Sequence, residues 1–213
     1  MRIGIDEIKR DVRVALDMNK RGDSLLEEGD PDTLELEEII GSKIEEGIDL
    51  VHLEAPLTLL EATPIGTWSG TAATGMDGMG KGKMALPADF LRLVVFRLTS
   101  WLRPVYEPIE ETSGEYTLQS SRWKGVYGSP EKPVVAITQR YSAQLYLEYY
   151  SGVSNDKIEE AAYIPKAKIS GGEVNVSEKC YRAAIYRIGA LVLATMGSEQ
   201  ATTLIEMSKA LIN

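Results

Sequence analysis

Residues 83–107, KMALPADFLRLVVFRLTSWLRPVYE, divide the chain into two kinds of sequence. Ahead of them the text reads mostly as helix, and behind them mostly as short strands until helices return at the end. Leu86-Pro87 ends an extended approach, because the residue before a proline is driven out of the helical region. Asp89–Leu93 allows one short turn, and Val94–Leu98, rich in β-branched and aromatic residues, reads as a strand. Trp101 and Tyr106 add bulky apolar groups beyond a kink.

The helical ends are defined by spacing. Ile5, Ile8, Val12, Ala15 and Leu16 follow the three-four interval of one helix face over residues 4–20. Asp30-Pro31-Asp32-Thr33 combines a capping side chain, a proline with preset φ and early acidic groups, which together start a second helix. That helix is expected to reach Glu54, with Leu36, Ile40, Ile44, Ile48 and Val51 as its buried stripe. Gly41 and Gly47 inside it each cost roughly 1 kcal/mol relative to alanine, so a close helix approach is the reason to look for. Ser177-Glu178 caps a third helix with a face of Tyr181, Ala184, Ile185, Ile188, Leu191, Val192 and Thr195; it is apolar around much of its circumference near Leu191–Ala194, which places it at the centre of the core. Ser198-Glu199 caps a fourth, with Ala201, Leu204, Ile205, Ser208 and Leu211 as its stripe. The tight link at Gly197 makes the last two an antiparallel pair.

Between the ends, Pro133–Thr138, Gln144–Tyr150 and Glu159–Lys168 read as strands, and 113–123 as a short helix. Gly171-Gly172 is a turn. Residues 62–83 are glycine-rich and nearly uncharged until the lysines, so they read as a long loop or extended hairpin. Gly75–Lys81 matches the opening of a phosphate-binding loop, but Gly82 stands where a magnesium-binding Ser or Thr belongs. The required strand-then-helix context is also missing, and a glycine-rich arm is the better reading.

Charge and composition exclude several functions. A net charge of −9 without a basic block argues against tight nucleic-acid binding. One His and one Cys cannot build a His/Cys zinc site within the chain. Cys180 reads as a small apolar helix residue, and His52 as a partner of a helix C-terminus. The carboxylate pairs Glu37-Glu38 and Glu45-Glu46 diverge on a helix and make a solvated acidic face. No catalytic residue, cofactor or metal site is expected, and no apolar run is long enough to span a membrane. Trp68, Met76 and Met79, with Lys81 and Lys83, are candidates for gripping a neighbour, since large apolar groups in a loop serve an interface better than a monomer.

The expected architecture is α+β: a four-helix bundle, two helices from each end, with an inserted antiparallel sheet and a long glycine-rich loop. One domain is expected over 1–213, with 1–56 and 177–213 helical, 62–83 an extended loop and 84–175 mostly β. In Thr33–Pro56, Leu86–Arg97 (LPADFLRLVVFR), Lys132–Ile137 and Ala184–Leu211 the chain resembles the head–tail connector proteins of tailed bacteriophages. The likeness is to the portal adaptor or tail-tubular type, and is greatest to the ring protein of crAss-like phages. It implies a structural virion subunit, assembled in the host cytoplasm into a ring of about twelve copies at the head–tail junction. It further implies docking to the portal protein and to tail tube or nozzle proteins, around a channel through which DNA passes without specific binding. Glu37, Glu38, Glu45 and Glu46 would then face the lumen. The alternative is a cytoplasmic ligand- or peptide-binding module built on Tyr141, Tyr146, Tyr149 and Tyr150.

Overall fold

A computed structural model describes residues 1–19, 31–65, 73–74, 80–121, 123, 125–139, 144–153 and 156–213. In chain order the elements are β1 (Arg2–Gly4), α1 (Ile5–Asn19), α2 (Pro31–Glu54), β2 (Thr63–Pro64), β3 (Ala73–Thr74), β4 (Gly80–Ala85) and β5 (Phe90–Leu98). There follow β6 (Ile109–Glu110), α3 (Gly114–Leu118), β7 (Val134–Thr138), β8 (Tyr146–Gly152) and β9 (Ile158–Pro165). The chain ends with β10 (Glu173–Asn175), α4 (Tyr181–Thr195) and α5 (Ala201–Ala210). These residues form two compact units, Met1–Glu61 with Lys166–Asn213, and Ala62–Pro165. Among the described residues, no helix is long and apolar enough to cross a membrane.

The first unit is helical, with one small antiparallel ribbon pairing Arg2 with Asn175 and Gly4 with Glu173. The stripes read from spacing on α1 and α2 are the buried ones: Ile8, Val12, Ala15 and Leu16, and Leu36, Ile40, Ile44, Ile48 and Val51. The expected four-helix bundle is not what forms. In such a bundle each helix turns one stripe to a shared centre. Here α4 is itself the centre, buried at nearly every position from Ala183 to Leu193. It packs against α1, α2 and α5, and α5 packs principally on α4. The exceptions correct the expected stripe: Leu191 is only half-buried and Thr195 is exposed, while burial extends beyond the stripe to Ala183, Arg187, Gly189, Ala190 and Leu193.

Small residues let the α2–α4 approach close. A Cβ on Gly47 would sit 2.5 Å from Ile188 Cγ1 and 3.2 Å from its Cα. Gly41 is different: a Cβ there would meet only the Lys9 side chain at 3.6 Å, an ordinary contact. Arg187 is buried in α4 and pairs with Glu54 of α2. Ser208 is fully buried and donates its hydroxyl to the Ala183 carbonyl at 2.8 Å, which holds α5 on α4.

The second unit also departs from expectation, since it holds two sheets rather than one antiparallel sheet. Strands β2, β9 and β5 form one, in the order β2-β9-β5. The other has the order β3-β4-β8-β7-β6, and its β6–β7 pair is parallel. The inner faces share one apolar core, to which Met84, Val135 and Leu147 contribute from the larger sheet and Leu93, Phe96 and Tyr163 from the smaller. Strand β5 begins at Phe90, earlier than its sequence implies, and the turn before it closes from Phe90 N–H to the Pro87 carbonyl. Irregularities in its pairing with β9 let Val95 and Phe96 both be buried, which strict alternation forbids.

The residues read as a long glycine-rich loop are in part strand: Gly80–Ala85 pairs with β8, and Gly82 lies opposite Tyr149. The Tyr149 ring occupies the space a side chain at 82 would need, 2.0 Å from an added Cβ, and it stacks on Phe96 with centroids 6.2 Å apart. Burial pushes the Tyr149 phenol up to about 12.

The two helix glycines separate two effects. Gly41→Ala should raise the melting temperature, with a gain of about 0.5–1 kcal/mol from helix propensity alone. Gly47→Ala should lower it by about 1–3 kcal/mol, because overpacking against Ile188 outweighs the same propensity gain. Equal effects of the two in a thermal melt would contradict the close α2–α4 contact.

Candidate functional site

The site grows from one alternation. Along β8, Leu147 and Tyr149 turn inward, so Tyr146, Glu148 and Tyr150 share the opposite face with Thr138 and Ala136 of β7. Hydroxyls converge on the Glu148 carboxylate. Tyr116 donates to Oε2 at 2.8 Å, Tyr150 donates to Oε2 at 3.1 Å and Thr138 donates to Oε1 at 3.3 Å. The Tyr116 and Tyr150 rings meet edge to face at 6.5 Å. Burial first, then the adjoining Glu148 carboxylate, drives the Tyr150 phenol well above its ordinary range. Tyr150 therefore acts as a donor at any physiological pH.

Tyr116 belongs to α3, so the carboxylate holds that helix on the sheet. The helix starts because the Ser113 hydroxyl accepts from Tyr116 N–H at 3.2 Å. It hands over to Gln119, which is 5% exposed and satisfied at both ends of its amide. Its NH2 donates to the Glu115 carbonyl at 3.0 Å, and its Oε1 accepts from Gly128 N–H at 2.8 Å. On the other side, Leu102 N–H donates to the Pro130 carbonyl at 3.0 Å, next to Trp101, which is 1% exposed. The segment between α3 and β7 is thus tied at Gly128 and Pro130.

What these ties hold is apolar surface in solvent. Trp123 is 78% exposed and Leu102 71%, with Leu118 and Val126 also exposed. Large apolar side chains left in solvent are candidates for contact with a partner rather than for a core. Sequence reading passes over Trp123 and Leu102. The available signal is that Arg122 and Lys124 flank Trp123, and are the only charged residues between Glu115 and Glu131.

Of the residues singled out from sequence, Trp68, Met76 and Met79 lie outside the described residues, as does Tyr141. Lys81 and Lys83 are exposed on β4, each over a tyrosine ring: Lys81 Nζ is 5.3 Å from the Tyr150 centroid and Lys83 Nζ 5.0 Å from that of Tyr146. Tyr149 points away from Tyr146 and Tyr150, so these three do not make one surface. Gly80, Lys81 and Gly82 are strand rather than the start of a helix; the rest of the phosphate-loop match, 75–79, lies outside the described residues.

The acidic face of α2 is largely engaged within its own unit. Glu37 pairs with Lys9 at 3.4 Å and Arg13 at 3.2 Å, and Glu46 with Lys43 at 2.7 Å. Glu45 accepts from Ile169 N–H and Asp49 from Ala167 N–H, each at 2.7 Å, while Glu38 is exposed. His52 does not serve the helix end as a cation. It is buried, accepts from Ser177 N–H at 3.4 Å, and burial lowers its pKa to about 4, so it is neutral. Cys180 is buried, and burial raises its thiol pKa, which keeps it unreactive. Among the described residues, no group of three or more His, Cys, Asp or Glu is placed to hold a metal ion. No protein-family model and no curated protein sequence matches this chain.

A double-mutant cycle tests the anchor. Tyr116→Phe and Glu148→Ala, measured singly and together by denaturant unfolding, should show a coupling of about 1.5–3 kcal/mol, as for a hydrogen bond to a charged group. Additive effects would mean that the carboxylate does not hold α3.

Proposed function

We propose that this chain is a structural subunit of a virion connector, a ring component at the head–tail junction of a tailed phage, without catalytic activity. The observation that carries the reading is the apolar surface left in solvent at Trp123, 78% exposed, and Leu102, 71% exposed. A monomer gains nothing from ordering such a group in water; a subunit meeting a neighbour gains both buried area and a lower ordering cost.

Charge supports the same reading. The helical unit carries 13 basic and 21 acidic residues, a net of −8, against 10 and 11, a net of −1, in the β unit. A passage lined by the acidic unit repels phosphate, so DNA slides through without adhering. Glu38, Glu45 and Glu46 are all exposed on α2 and available for that lining, while Glu37 is half-buried between Lys9 and Arg13. The sequence likeness to phage connectors supplies the partners: copies of the chain, a portal ring above and tail tube or nozzle proteins below.

The test is assembly. The purified chain, alone and mixed with its portal ring, is followed by size-exclusion chromatography with light scattering and by negative-stain microscopy. Closed rings, free or seated on the portal, are the expected result. A chain that stays monomeric in both settings contradicts the proposal.

A further inference from the structure

His52 is the single histidine of the chain, and it is buried near the end of α2. Its Nε2 accepts from Ser177 N–H, just ahead of α4, so the ring proton is on Nδ1, which has no partner among the described residues. Ser177 is buried too, and its hydroxyl accepts from Glu61 N–H at 3.2 Å. One residue earlier, the Val176 carbonyl accepts from the Met1 amino group at 2.7 Å. The end of α2, the segment after it, the residue ahead of β1 and the approach to α4 therefore meet at one corner of the helical unit. A second proton on the ring has no place there. It would turn Nε2 into a donor facing the Ser177 donor, and it would put a positive charge at a buried position. Two charged groups act on the ring: the Met1 amino group opposes the proton, and Glu61, whose side chain is 70% exposed and so screened, favours it. On the neighbouring elements, Glu54 is engaged by Arg187, Asp49 by Ala167 N–H, Asp11 by the Tyr181 hydroxyl, and the Cys180 thiol and Lys179 by the Leu59 and Thr58 carbonyls.

We propose that His52 is an acid-released latch: protonation of its ring frees Ser177 and opens this corner of the helical unit, while the β unit keeps its fold. An opened latch carries a histidine of ordinary pKa, 6.5, whereas burial and the Met1 charge lower it to about 4 in the closed one. The open form therefore takes up a proton that the closed form refuses, and opening gains on closing as the pH falls from 6.5 towards 4. Between pH 7 and pH 5 that gain is about twentyfold. Glu61 and Met1 are released together with Ser177, since their bonds run to Ser177 and Val176. The latch does not depend on the connector reading.

Proton NMR of the one imidazole and hydrogen exchange at the Ser177 amide, corrected for the intrinsic pH dependence of exchange, test this on the whole chain. In the wild type the imidazole should titrate well below its ordinary range, and Ser177 protection should fall about twentyfold from pH 7 to pH 5. His52→Gln keeps an acceptor for Ser177 N–H but takes no proton in this range, so its protection should stay constant to within about twofold. Tryptophan emission should not change, since all three tryptophans fall between residues 62 and 165. An imidazole that titrates at its ordinary pKa, unchanged protection in the wild type, or an equal loss in His52→Gln overturns the latch. A tryptophan shift over the same pH range does so too, because it marks a general unfolding. If His52→Gln does not fold, the imidazole titration and Ser177 exchange of the wild type decide alone.

Discussion

A half-buried carboxylate that receives hydroxyls from three elements is the contact on which the rest of the β unit's surface depends. Glu148 draws Tyr116 of α3, Thr138 of β7 and Tyr150 of its own strand to one point. Without those donors the charge would be costly at partial burial, and α3 would have little to bind it to the sheet. With them, a helix of five residues has a fixed place, and Gln119 at its end can hold Gly128. Order passes in this way from a strand in the sheet to a loop that would otherwise be a polar excursion. That is the physical meaning of pre-organisation: part of the entropy lost on binding has already been lost on folding.

The helical unit is organised differently. Its stability comes from apolar burial around α4, and its polar contacts refine that packing. Gly47 lets α2 approach Ile188, the Glu54–Arg187 pair carries a buried charge across the same interface, and Ser208 fastens α5. His52 is tolerated inside because it is neutral. The carboxylates on the α2 face form the solvated surface that the sequence suggests, with Glu38, Glu45 and Glu46 exposed, and several of them also bind the backbone of 167–169 or nearby lysines and arginines. An acidic sequence face therefore does double duty, as internal clamp and as the source of the unit's negative field.

Much of the helical unit was legible because a helix stripe is a local property. Ile8–Val12–Ala15 and Ile40–Ile44–Ile48 are buried where three-four spacing places them. The central place of α4 was legible as well, from its apolar circumference; the extent of its burial was not, because Ala183 and Gly189 carry little hydropathy signal although both are buried. What spacing did not report is that the other helices pack around α4 instead of each turning one stripe to a shared centre, so a four-helix bundle was expected where none forms. In the β unit, the alternation of Leu147 and Tyr149 against Tyr146, Glu148 and Tyr150 was readable. The division into two sheets was not, because β5 leaves strict alternation at its pairing irregularities. Trp123 was missed for another reason: what makes its loop matter is the bond from Gly128 to Gln119, a tertiary contact that no spacing reports.

The central claim is that the loop is in place before any partner arrives. Hydrogen exchange at the Gly128 amide, in the free chain and in the proposed ring, reads this most directly. The account predicts strong protection in the free chain, since that N–H is held by a buried side chain, and little further gain on assembly. Exchange at the unprotected rate in the free chain, with protection gained only in the ring, would contradict it.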